Sequence, residues 1–183
     1  MIVGELLAAM GAMRARAARK AVARYRGLAE ADPDRYRPGL ADSLNSLGLV
    51  LAGLDRWAEA LSPVQEAVDL YRGLAETDPD RYRPGLADSL NSLGLVLAEL
   101  GRPAEALPLA QESVDLFRGL QRADAARYLS GFADSLDTLG LVWEGLDRPA
   151  EAQAARRKAA AFRPTHIAEA RRKAEADRWA GSG

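Results

Sequence analysis

Three Asp-Ser pairs, Asp42/Ser43, Asp88/Ser89 and Asp134/Ser135, and a single histidine, His166, are the residues of this 183-residue chain that could do chemistry. Carboxylate, hydroxyl and imidazole are the parts of a nucleophilic hydrolase, but that chemistry needs a base within hydrogen-bond reach of the hydroxyl and a third group to orient the base. Adjacent residues on a helix do not face each other. The pairs recur at a fixed interval, as architecture does, and His166 has no carboxylate or serine at a partnering distance along the chain. No cysteine is present, which excludes thiolate nucleophiles, disulfides and thiolate metal sites. Neither metal-ligand spacing nor a phosphate-cradling glycine loop appears. The expectation is a chain that is not an enzyme and uses no metal or cofactor.

The elements that carry these pairs are written by a repeat. Tyr25–Leu70 and Tyr71–Leu116 agree at 38 of 46 positions, and Phe117–Phe162 agrees with the second copy at 21. A period of this length predicts a solenoid whose units bury their apolar faces by stacking. Within a unit, Leu40, Leu44, Leu47, Leu51 and Leu54 recur at helical spacing. They predict a helix A over about Pro38 to Leu54, with Pro38 at its first position. Ala60, Leu61, Val64, Ala67, Val68, Tyr71 and Leu74 predict a helix B from about Trp57 to Glu76. Asp32-Pro33-Asp34 reads as the turn into helix A, and Pro63 and Pro108 as points of strain inside helix B. Gly101, with Asp55 and Asp147 in the same slot, reads as a left-handed cap. In the third unit Ala125 and Ser130 replace Pro79 and Pro84, so a different entry turn is expected there.

Leu44, Leu47, Gly48, Ala60 and Ala67 resemble the tetratricopeptide pattern of a large residue, Leu-Gly and two small helix-crossing residues. The longer unit with its SLNSLG core is similar to the kinesin-light-chain-like branch of that family, as in actinobacterial repeat proteins. The resemblance implies an all-α fold, a right-handed α-α superhelix of antiparallel helix pairs, in one domain spanning 1–183. Capping helices are expected at 1–24 and 163–180, around repeats at 25–70, 71–116 and 117–162.

Opposite the leucine stripe of helix A lie Asp42, Asn45, Leu49 and Gly53. Repetition extends this strip to Asp88, Asn91 and Leu95, then Asp134, Asp137 and Leu141. The resemblance implies that the strip lines a concave peptide-binding groove, with Asn45 and Asn91 matching the asparagine that light-chain-like members use on peptide backbone. Family members that clamp a peptide's C-terminal carboxylate use Lys and Asn here; Asp and Leu in those places argue against such a clamp. Leucines beside acids suit a peptide with apolar anchors and basic residues.

The ends differ from the middle. Residues 12–24 keep helix B register, whereas Ile2, Val3, Leu6, Leu7, Met10 and Met13 make an apolar N-terminus, expected to form one long helix that either caps its own solenoid or joins copies into a homo-oligomer. Thr165 to Trp179 reads as a last helix, and Gly181-Ser182-Gly183 as an expression scar; with the near-identical first units, this suggests an engineered assembly subunit. Residues 1–26 carry six basic side chains against one acid and residues 156–183 eight against three, leaving an acidic middle. Arg14, Arg16, Arg19, Lys20, Arg24 and Arg26 crowd one helix, yet a pI near 5.9 and few aromatics speak against nucleic acid. The longest apolar run, Leu47–Leu54, is too short to span a bilayer, no basic residue precedes the apolar N-terminus, and a cytoplasmic protein is expected.

Overall fold

A computed structural model describes residues 2–163, with side chains from Ala8 onward. Seven helices fill the described residues: α1 (Ile2–Ala31), α2 (Pro33–Ala52), α3 (Trp57–Thr77), α4 (Pro79–Glu99), α5 (Pro103–Ala123), α6 (Ala125–Gly145) and α7 (Pro149–Phe162). Each packs on the next in chain order, giving an all-α solenoid with α2, α4 and α6 as A helices and α1, α3, α5 and α7 as B helices. The A helices also touch one another, α2 with α4 and α4 with α6, whereas successive B helices do not approach as closely. The A helices therefore form the inner side of the curve. No helix among the described residues is long and apolar enough to cross a membrane.

Helix A begins five residues earlier than expected, at Pro33 rather than Pro38. The Asp32 side chain accepts a hydrogen bond from the Arg35 amide at 3.3 Å, so the residues read as a turn are a cap followed by a proline at the first position. Pro38 sits inside the helix, where it withholds a donor from the carbonyl of exposed Asp34, within reach of water. Asp78 and Asp124 cap α4 and α6 in the same way, each at 3.1 Å. The third entry turn thus equals the others, contrary to expectation, because the Asp carries the geometry and the missing prolines do not. Only one residue, Asp32, Asp78 or Asp124, separates each B helix from the A helix that follows. Pro63 and Pro108 lie within uninterrupted helices.

The A-to-B turns hold Asp55 at φ 56°, Gly101 at φ 71° and Asp147 at φ 56°. After each comes a six-to-one bond, Arg56 to Leu51, Arg102 to Leu97 and Arg148 to Trp143, which closes the helix C-terminus. Small residues bring A and B together: a Cβ added at Gly48 would lie 2.0 Å from Val64 Cγ2, and Ala60 and Ala67 are fully buried.

By the 46-residue period, Gly11 in α1 corresponds to Trp57, the first residue of α3. A Cβ on Gly11 would lie 2.4 Å from Leu54 Cδ2, which fixes that level of α1 at the A-to-B turn. Ile2–Met10 therefore extend past the edge at which the other B helices begin, by about 14 Å at 1.5 Å per residue. The long N-terminal helix is present as expected. Pairs on the outer side, Arg19–Glu59, Arg26–Glu66 and Arg72–Glu112 at 2.6–2.9 Å, join successive B helices. All are solvent-exposed, so water and salt screen them and they add little to stability. The expected C-terminal helix, Thr165 and His166 lie outside the described residues.

Candidate functional site

The inner strip of A-helix residues is assembled from one helix per unit. Asp42, Asp88 and Asp134 are exposed, Asn45, Asn91 and Asp137 half-buried, Leu49 exposed, and Leu95 and Leu141 half-buried. The serines beside the aspartates are buried and turned inward. Ser43 donates to the Leu40 carbonyl at 2.9 Å, Ser89 to Gly85 at 2.7 Å and Ser135 to Phe132 at 2.9 Å. They are spent on their own helices, and the Asp-Ser pairs act as architecture. Among the described residues, no group of His, Asp or Glu is placed to hold a metal ion.

The three rungs are chemically unequal, which the repeat conceals. Asp42 accepts a hydrogen bond from the Tyr71 hydroxyl of α3. Burial, and then that hydrogen bond, push the Tyr71 phenol far up, so it stays protonated and remains a donor. Asp137 is paired with Arg163, the last described residue. Burial pushes the Asp134 carboxyl up, the nearby Arg163 guanidinium pulls it down, and Asp137 pushes it up again. Asp88 has no side-chain partner of either kind among the described residues. Although its carboxylate reaches water, the surrounding inner face desolvates it, and Asp134 and Asp42 repel its charge, together pushing it up to about 6. Asp42 on α2 and Asp134 on α6 thus act on Asp88 of α4 between them, along the inner side of the A helices.

Asn45 Oδ1 and Asn91 Oδ1 are buried and accept no hydrogen bond among the described residues. An unmatched buried acceptor costs about 1–3 kcal/mol, which a donor from a ligand would offset. Among the described residues, no neighbouring helix supplies a partner on the Oδ1 side. Tyr71 and Arg163 are site residues that the strip pattern does not contain. Their common position in the 46-residue period was the available signal.

Of the residues expected to self-associate, Met10 and Met13 are 48% and 67% exposed, and they are two of the three exposed large apolar side chains among the described residues. The third, Leu49 at 49%, lines a shallow cleft with Gly11 and Arg14 at the same end of the solenoid. The side chains of Ile2, Val3, Leu6 and Leu7 lie outside the described set.

A family model described as Tetratricopeptide repeat matches residues 40–79 and 86–119. No curated protein matches the sequence significantly. Among solved structures, the chain is similar to the crystal structure of BtubC (BKLC) from P. vanneervenii, at 14% identity over 85% of this chain and 91% of that one. The TM-score is 0.26, a likeness too loose to argue from.

Proposed function

Taking as premise that the segments 40–79 and 86–119 are tetratricopeptide repeats, a type that generally mediates protein–protein interaction, we propose that this chain is a non-catalytic protein-binding scaffold. Its inner strip holds an extended, basic peptide with apolar anchors. The observation that carries this reading is the pair of unmatched acceptors, Asn45 Oδ1 and Asn91 Oδ1, beside an acidic face. An amide oxygen that accepts nothing among the described residues can turn to a peptide backbone without losing a bond of its own, and amides both donate and accept. The leucines Leu49, Leu95 and Leu141 supply apolar contact, and Asp42, Asp88 and Asp134 select positive charge.

A capped twelve-residue peptide with alternating leucine and arginine tests it, against the same peptide with glutamate for arginine. Amide chemical-shift mapping is expected to place the basic peptide on α2, α4 and α6, with the acidic peptide leaving them unmoved. Affinity is expected to fall as pH drops from 7.5 to 5, because Asp88 takes up a proton near about 6 and its folded-state charge is what attracts the ligand. Tyr71, which burial and its hydrogen bond to Asp42 keep protonated, supplies no replacement charge. Equal binding of the acidic peptide, or shifts confined to the outer helices, would end the reading.

A second reading is homo-oligomerisation through the projecting end of α1, favoured by the exposure of Met10 and Met13. Ile2, Val3, Leu6 and Leu7 continue that apolar segment. Light scattering behind size exclusion is expected to give a defined oligomer, reduced to a folded monomer by Leu7→Asp with Met10→Asp. A monomeric parent chain would sink this reading and leave the groove untouched.

A further inference from the structure

Positions 25, 71, 117 and 163 are equivalent by the repeat and hold Tyr25, Tyr71, Phe117 and Arg163. Each of the three rings lies on a glycine of the following A helix: a Cβ added at Gly39, Gly85 or Gly131 would fall 2.4 Å from a ring carbon. The rings are therefore placed alike, and only what they carry differs. Tyr71 brings a hydroxyl, which it donates to Asp42. Arg163 brings a guanidinium, which pairs with Asp137 and acts on Asp134. Phe117 brings nothing polar. Asp88 stands to Phe117 as Asp42 stands to Tyr71, and its carboxylate has no hydrogen bond or ion pair among the described residues.

Three residues further along the same face of α4, Asn91 Oδ1 is buried and has no donor among the described residues, so it meets a ligand by turning its amide outward. Two acceptors on one helix face, one of them charged, call for a ligand group with several donors and a positive charge. A guanidinium has five N–H donors in a rigid planar fork that spans two acceptors at fixed spacing, whereas an ammonium gathers its three donors on one atom. We infer that Asp88, with Asn91, anchors an arginine side chain of the bound peptide, and that Phe117 reserves this rung for the ligand by lacking the hydroxyl that Tyr71 spends on Asp42. The inference rests on the groove reading and sharpens it, because it makes the middle rung specific for arginine. Burial and the repulsion from Asp134 and Asp42 point the same way, since an incoming cation relieves both.

The test uses two capped seven-residue peptides, alike except for a central arginine or citrulline between leucines. Citrulline keeps the shape and removes the charge. Binding is followed on the full chain by amide and Asn side-chain shifts. The arginine peptide is expected to bind the parent at least about tenfold more tightly than the citrulline peptide, a margin typical of one charge-assisted hydrogen-bond pair. Phe117→Tyr, which copies the Tyr71 arrangement, is expected to remove most of that margin. Tyr71→Phe frees Asp42 and is expected to keep or widen it. Should Phe117→Tyr melt at a lower temperature than the parent, Asp88→Asn reads the same anchor and is expected to abolish the arginine preference while leaving leucine-driven binding. Strip shifts of equal size for both peptides, or a preference that survives both Phe117→Tyr and Asp88→Asn, would overturn the anchor while leaving the groove reading standing. No strip shifts with either peptide would bring down the groove reading and the anchor with it.

Discussion

Truncating Phe132 to alanine is expected to cost about 3–5 kcal/mol and to release the C-terminal hairpin before the rest of the chain. The ring is 1% exposed, and it meets Phe162 edge-on at 5.1 Å between centroids with Lys158 above its face at 5.6 Å. The earlier units hold the smaller Leu40 and Leu86 at this position. The enlargement is needed because α7 buries only Ala152, Ala155 and Ala159, too little apolar area to fix a helix on its own. In a solenoid each unit is held mainly by its neighbours, so loss at an end is local. Hydrogen exchange should show α6 and α7 losing protection by two or more orders of magnitude while α2 to α4 keep theirs. Protection within tenfold of the parent in α7 would refute this account. The change would also remove Asp134, Asp137 and Leu141 from the strip, so peptide binding should weaken in parallel with exchange.

The second large effect comes from one substitution, glycine to alanine, made in two kinds of surroundings. Gly27, Gly73 and Gly119 lie inside α1, α3 and α5, and a Cβ at any of them meets nothing within 4 Å. Each glycine weakens its helix by about 1 kcal/mol relative to alanine, chiefly through backbone entropy. The triple alanine variant is expected to be more stable by about 2–3 kcal/mol, raising the melting temperature by roughly 5–10 °C. Gly48→Ala should do the opposite, at a cost of about 1–3 kcal/mol. Its Cβ would meet Val64 Cγ2 at 2.0 Å, and Val64 is fully buried with nowhere to retreat. Thermal melts followed by circular dichroism decide both. A triple variant no more stable than the parent would mean that those glycines have a close neighbour after all.

Much of the architecture was legible because periodicity is a property of many residues at once. The leucine stripe of helix A, the end of helix B, the left-handed slot at Asp55, Gly101 and Asp147, and the long N-terminal helix all follow from local spacing. The start of helix A was misread because the same residues that break a helix also cap one. Asp32-Pro33-Asp34 fits a turn or an N-terminus equally, and only the Asp32 to Arg35 contact decides. Within the site, the strip was found by helical angle, but its rungs looked interchangeable. What separates them is contact across long stretches of chain, such as Tyr71 with Asp42 and Arg163 with Asp137, which no spacing rule on a single helix contains. Exposure of Met10 and Met13 was likewise open, since an amphipathic end helix can cover its own solenoid or leave it.

The single residue between each B helix and the next A helix has a consequence for what the inner face can discriminate. Asp32, Asp78 and Asp124 leave no slack in the chain, and each is tied at both ends, by its own amide to the helix before and by its carboxylate to the helix after. Changing the distance between successive rungs would mean unwinding a helix end. The solenoid therefore behaves as a graduated rule rather than a compliant clasp. On the groove reading, it would reject a partner of the right composition whose arginine falls out of step with its leucines.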